Sequence, residues 1–191
     1  MAQSGIQGTY AFRRQEMVSA FHFSLDGKFT FFYSYGAADR SATGRFTVEG
    51  DTLKLKCDKE AGSDFTIEKQ SKSGSGYQVS CKAPNPYLLS YMECLVFVGD
   101  QELSFESDQD GMVNIDLPHC DKIYVRNLIF PDIPTLVKDE KNQNNRFEVM
   151  LLESVQQVSF KGIDFQILDE NTISCYPNYF IPLEGITFRK E

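Results

Sequence analysis

Apolar and polar residues alternate along most of this chain, and turn formers break the alternation every few residues. In 20–25, AFHFSL, Phe21, Phe23 and Leu25 fall on one face, with His22 and Ser24 on the other. Asp26-Gly27 reads as a two-residue hairpin turn. The next run, KFTFFYSY, puts Phe29, Phe31, Tyr33 and Tyr35 on one side. Period-two alternation of this kind predicts strands half buried against a core. GAADRSATG, at 36–44, reads as a loop, and further strands are expected at 45–48, 52–57 and 64–69. The first third therefore predicts an antiparallel meander with one strongly aromatic face.

The Ser/Gly-rich stretch SKSGSG, at 71–76, has the composition of a flexible connector and is the expected domain boundary. Beyond it, strands are expected at 77–82, 91–98 and 102–105. A hairpin follows in which Val113, Ile115 and Leu117, then Ile123 and Val125, alternate around Pro118-His119. LIFPDIP carries two prolines and predicts an edge or irregular crossing. Residues 135–141 could form a helical turn or two, KDEKNQNN a solvated loop, and 146–153 a strand. The tail predicts strands at 157–161, 164–168, 172–176 and 186–190. Its GIDFQILDENTISC echoes GRFTVEGDTLKLKC in the first third, so the tail is able to return to the first sheet and leave the middle as an insertion. The expected fold class is all-β. An antiparallel meander or partial barrel occupies 1–70, a β-sandwich 77–153, and C-terminal strands 155–191 that can complete the first sheet.

Composition supports the strand reading, since sixteen Phe and nine Tyr without Trp favour pleated structure. A net charge of −8 and a lack of any basic patch argue against nucleic acid as a partner. No window approaches the ~18 apolar residues of a membrane span. The expected placement is soluble and cytoplasmic, with export the alternative where a leader has been removed. Cys57, Cys81, Cys94, Cys120 and Cys175 are widely spaced without a CxxC pair, which predicts buried thiols and neither a disulfide framework nor a zinc ribbon. No metal and no cofactor is expected.

Chemistry-bearing residues are few. SDQDG, at 107–111, alternates carboxylates but lacks the late bidentate acid of a calcium loop, and reads as a solvated Asx turn. His119 and Cys120 are adjacent, so in a strand they point to opposite faces. Asp39-Arg40 is the most site-like polar pair, placed in the 36–44 loop. With His22 it would form a hydrolytic site, and without it a local ion pair. The aromatic face lines a pocket if the first sheet closes around a ligand and is core if it packs. The candidate ligand-binding residues are thus Phe21, Phe23, Phe31, Tyr33, Phe46, His22, Asp39 and Arg40; no catalytic residue is assigned.

Two resemblances add to this. CLVFVGDQELSFESDQDGMVNIDLPHCDKIYVRNLIF followed by NRFEVML resembles the carboxypeptidase-regulatory-like, transthyretin-like β-sandwich family over 77–153. The resemblance implies a non-catalytic accessory domain used for support, partner contact or ligand holding. Hydrolases among transthyretin-like proteins close with Tyr-Arg-Gly-Ser and use more than one His with an Arg. This chain ends FRKE, and His22 and His119 lie far apart. GTYAF, DGKFTF and GRFTVEGDTLKL look like a lipocalin-like meander over 8–67, which implies a carrier of a small apolar ligand. The leading expectation is a non-enzymatic binding or protein-interaction module whose partner is an unknown protein or a small apolar ligand. A lipocalin-like carrier comes second, and a hydrolase near 36–44 third.

Overall fold

A computed structural model describes residues 5–36 and 38–191. Its strands are β1 (Gly8–Arg14), β2 (Met17–Phe23), β3 (Lys28–Tyr35), β4 (Ala38–Glu49), β5 (Thr52–Cys57), β6 (Phe65–Ser71), β7 (Tyr77–Lys82) and β8 (Met92–Val98). They continue with β9 (Gln101–Glu106), β10 (Met112–Ile115), β11 (Lys122–Asn127), β12 (Thr135–Lys138), β13 (Arg146–Leu151), β14 (Asp164–Asp169), β15 (Thr172–Cys175) and β16 (Ile186–Lys190). Short 3-10 turns at Pro86–Tyr91 and Glu153–Gln156 are the only helical elements among the described residues. The protein is all-β, and no helix among the described residues is long and apolar enough to cross a membrane.

The chain divides into two units, one running through Glu60 and resuming at Gln156–Glu191, the other Ala61–Val155. The first unit is a closed antiparallel barrel of order β1-β16-β15-β14-β5-β4-β3-β2. The C-terminal strands thus complete the first sheet: β16 pairs with β1, and β14 with β5. Closure leaves no unpaired sheet edge among the described strands of this unit. Alternation supplies the core, with Phe21, Phe23, Phe29 and Phe31 buried on one face and His22 and Phe32 on the other.

The second unit holds two sheets of order β10-β7-β13-β6 and β12-β11-β8-β9. Their buried faces carry Val79, Cys81, Val113, Phe147 and Val149 from one sheet and Met92, Cys94, Val96, Ile123 and Val125 from the other. This is the inward alternation of a β-sandwich.

Several local expectations are corrected. The 36–44 segment is not a loop: β3 turns at Gly36 (φ 57°) into the twelve-residue β4, and Tyr33 pairs with Arg40. Its Ala, Ser and Thr read as turn formers, but cross-strand pairing with β3 and β5 holds them extended. The β2–β3 connection is wider than Asp26-Gly27, because Gly27 N–H donates to Ser24 O and Ser24 N–H to Lys28 O. Leu25 consequently leaves the apolar face and is exposed, as is Tyr35. Strand β6, expected in the first module, pairs with β13 of the sandwich unit, so the sandwich starts before residue 77.

SKSGSG lies inside the second unit and not between the two. The Asn145 side chain donates to Ser73 O, Gly74 O and Gly76 O and accepts from Ser73 N–H, while Arg146 donates to Ser75 O and Gly76 O. Residues 135–138 form β12 rather than a helical turn, since Thr135 and Val137 are buried and Leu136 points out. No strand forms at 157–161. That stretch makes a single bridge, Ser41 with Gln157, before Phe160 turns inward at φ 49°.

Candidate functional site

The barrel places the expected site residues in two environments. Phe21, Phe23, Phe31 and Tyr33 are buried, and Phe46 is half-buried against Phe23, with ring centroids 5.0 Å apart. Phe21, Phe23, Phe31 and Tyr33 belong to the barrel's core cluster, and Phe46 packs against it. Phe160 lies 5.5 Å from Phe21 and 4.8 Å from Phe31, and Phe165, Phe180 and Phe188 contact the same rings. Burial raises the Tyr33 hydroxyl pKa above its ordinary value.

His22 and Asp39 point outward, and His22 Nδ1 sits 3.1 Å from Thr9 Oγ1. Arg40 points inward and is 2% exposed; its guanidinium donates to Gln157 O at 3.0 Å and lies over the Phe180 ring. Lys59 donates to the same carbonyl at 2.8 Å. Opposite faces therefore separate Arg40 from His22 and Asp39, and the three do not converge on one cleft.

The remaining candidates are structural. Asp108 Oδ1 accepts from Asp110 N–H and Met112 N–H, so SDQDG is an Asx turn. His119 is exposed and pairs with Asp121 at 2.9 Å, whereas Cys120 is buried. Burial pushes the Cys81 thiol up to about 12 and the Cys94 thiol well above its usual value, which suits inert core residues. Among the described residues no group of three or more His, Cys, Asp or Glu is arranged to hold a metal ion.

A site not anticipated from the sequence lies on the outer face of the β12-β11-β8-β9 sheet. Strand β8 is apolar on both faces: Met92, Cys94 and Val96 point into the sandwich, Leu95 and Phe97 out of it. Register sets Leu95 beside Tyr124, and Tyr124 beside Leu136, which is 44% exposed. Phe97 meets Tyr124 edge-on, with centroids 5.7 Å apart. Ile133 and Pro134 extend this surface into a groove of about 350 Å3. The sequence signal was the near-continuous run CLVFV, which is what a strand covered on both faces looks like.

The groove has polar borders. At one end Glu93, whose side chain is 9% exposed, accepts from Arg126 Nε and Ser104 Oγ, so a satisfied ion pair fixes the sheet surface there. Lys122 is paired with Glu140 at 3.1 Å. Glu102 lines the groove along the β9 border, and register places Glu106 on the same face.

A larger concavity of about 630 Å3 on the outer face of the other sheet is polar, and its charges are already matched. Lys82 binds Glu68 and Glu148, Lys69 binds Glu148, and Arg146 is held by backbone carbonyls. A concavity of about 380 Å3 on the barrel mixes Leu168 and Tyr176 with Asp164, Gln166 and Ser174. Neither presents a run of apolar side chains.

No family model, no curated protein and no solved structure matches this chain.

Proposed function

We propose that this chain is a non-enzymatic binding module that holds another protein against the outer face of the β12-β11-β8-β9 sheet. The observation that carries the reading is the row Leu95, Phe97, Tyr124 and Leu136, half-buried to exposed and side by side in register on a sheet whose other face is already core. Apolar surface gathered in one rimmed patch marks interaction sites on soluble proteins. Aromatic side chains on a rigid strand supply contact area at low entropic cost. The transthyretin-like resemblance of 77–153 supports the same direction, because such modules serve as accessory domains. The packed aromatic interior of the barrel favours a scaffold role there over a carrier role.

Photo-cross-linking tests the proposal. A benzoylphenylalanine replacing Phe97 is expected to yield a discrete protein adduct in the cells that make the chain. The same probe at Phe32, exposed on the barrel, is expected to yield none. Equal labelling from the two positions would overturn it.

A further inference from the structure

We infer that the occupant of this groove is a cationic, apolar segment of a partner protein, its apolar side chains over Leu95, Phe97 and Tyr124 and its basic side chains against Glu102 and Glu106. The inference rests on the binding role proposed above and adds the chemistry of the partner.

Charge around the groove is unevenly satisfied. On the β11 border, Lys122 is matched by Glu140 and Arg126 by Glu93. On the β9 border, Glu102 and Glu106 are both exposed, and among the described residues neither carboxylate has an ion pair or a hydrogen bond. Glu102 stands directly opposite Phe97, and Glu106 opposite Glu93, in the β8–β9 register. An acidic row thus runs along the apolar row. Glu106 lies beside a second carboxylate, Glu93, whose charge is offset by Arg126. An extended segment turns only every second side chain toward the sheet, so one that carries apolar and basic residues in turn at those facing positions meets both rows at once. The net charge of −8 favours approach of such a segment and disfavours an acidic one. A second copy of the chain would bring the same acidic border and the same net charge to the face, so a copy is the poorer occupant.

The test uses the full chain and two fluorescent peptides, one with Leu and Lys in turn at every second position and Ser between them, the other with Glu at every Lys, read by anisotropy. The Lys peptide is expected to bind at least about ten-fold more tightly than the Glu peptide, and to weaken as salt is raised. The doubly charge-reversed variant E102K/E106K is expected to invert the preference. Both substitutions sit on exposed strand positions, so an unchanged melting curve serves as the folding control. Phe97→Ser and Leu136→Ser are each expected to weaken the Lys peptide.

Equal binding of the two peptides, or a preference untouched by charge reversal, overturns the charge assignment. If Phe97→Ser still abolishes that binding, the groove reading survives without it. Binding of neither peptide overturns the inference, and so does concentration-dependent dimerisation that Phe97→Ser removes.

Discussion

Phe160 stands edge-on to Phe31 inside the barrel, ring centroids 4.8 Å apart and planes at 83°, on a backbone held at φ 49°. A phenylalanine in left-handed conformation is strained by about 1–2 kcal/mol. The barrel holds it there through ring contacts with Phe21, Phe29, Phe31, Phe165 and Phe180. Phe160→Ala should cost about 3–5 kcal/mol in urea unfolding. It should also open an apolar cavity that takes up benzene, detectable as a rise in melting temperature for the variant and none for the parent.

Gly111 closes the Asx turn at φ 81°, and a Cβ there would lie 2.7 Å from Cys81 O and 2.9 Å from Leu89 Cδ2. Gly111→Ala combines backbone strain with a clash that backbone cannot relieve, and should cost about 2–4 kcal/mol. Gly99→Ala, at φ 57° with nothing within 4 Å, should cost only the strain, about 1–2 kcal/mol. Equal losses in equilibrium unfolding would contradict the close approach at Gly111.

Asp26 gives a pH-dependent contribution of definite sign. A hydrogen-bonded ion pair with Lys28, and then the Ser24 hydroxyl, hold its carboxyl pKa down to about 2 from an ordinary 3.8. The folded value is the lower one, so the contribution is present above about pH 4 and disappears as pH falls through about 2. A carboxyl-carbon NMR titration should show the depressed midpoint, and Lys28→Met should move it back toward the ordinary value.

Lys138 is 4% exposed and donates to Cys120 O at 3.0 Å, Asp121 O at 3.3 Å and Asp139 O at 3.1 Å. Its ammonium joins β12 to the turn before β11. Lys138→Met keeps the stem and strands these carbonyls, which should cost about 1–3 kcal/mol. Hydrogen exchange across 135–139 should accelerate more than exchange in β13.

The barrel was legible where side chains alternate between large apolar and polar, as in Phe21-His22-Phe23 and Phe29-Thr30-Phe31. It was illegible in β4, where Arg40, Ala42 and Gly44 point inward and Asp39, Ser41 and Thr43 outward, because small and polar residues there carry no period. Gly44 has its own reason: a Cβ would lie 2.1 Å from Lys56 O, so the close approach of β5 requires glycine. The unit division follows the pairing of β6 with β13, a long-range choice that the Ser/Gly content of 71–76 does not encode. Phe160 enters the core from an irregular segment and has no pattern to announce it. In β8 the sequence shows that both faces are apolar, but only strand order sets Leu95 and Phe97 beside Tyr124 in a groove.

Hydroxyl-radical footprinting of the chain, alone and in a fresh extract of the cells that make it, tests the binding face most directly. Oxidation of Leu95, Phe97, Tyr124 and Leu136 is expected to fall together in the extract, while Phe32 and Tyr176, exposed on the barrel, react equally in both. Undiminished oxidation of all four residues would contradict the binding role.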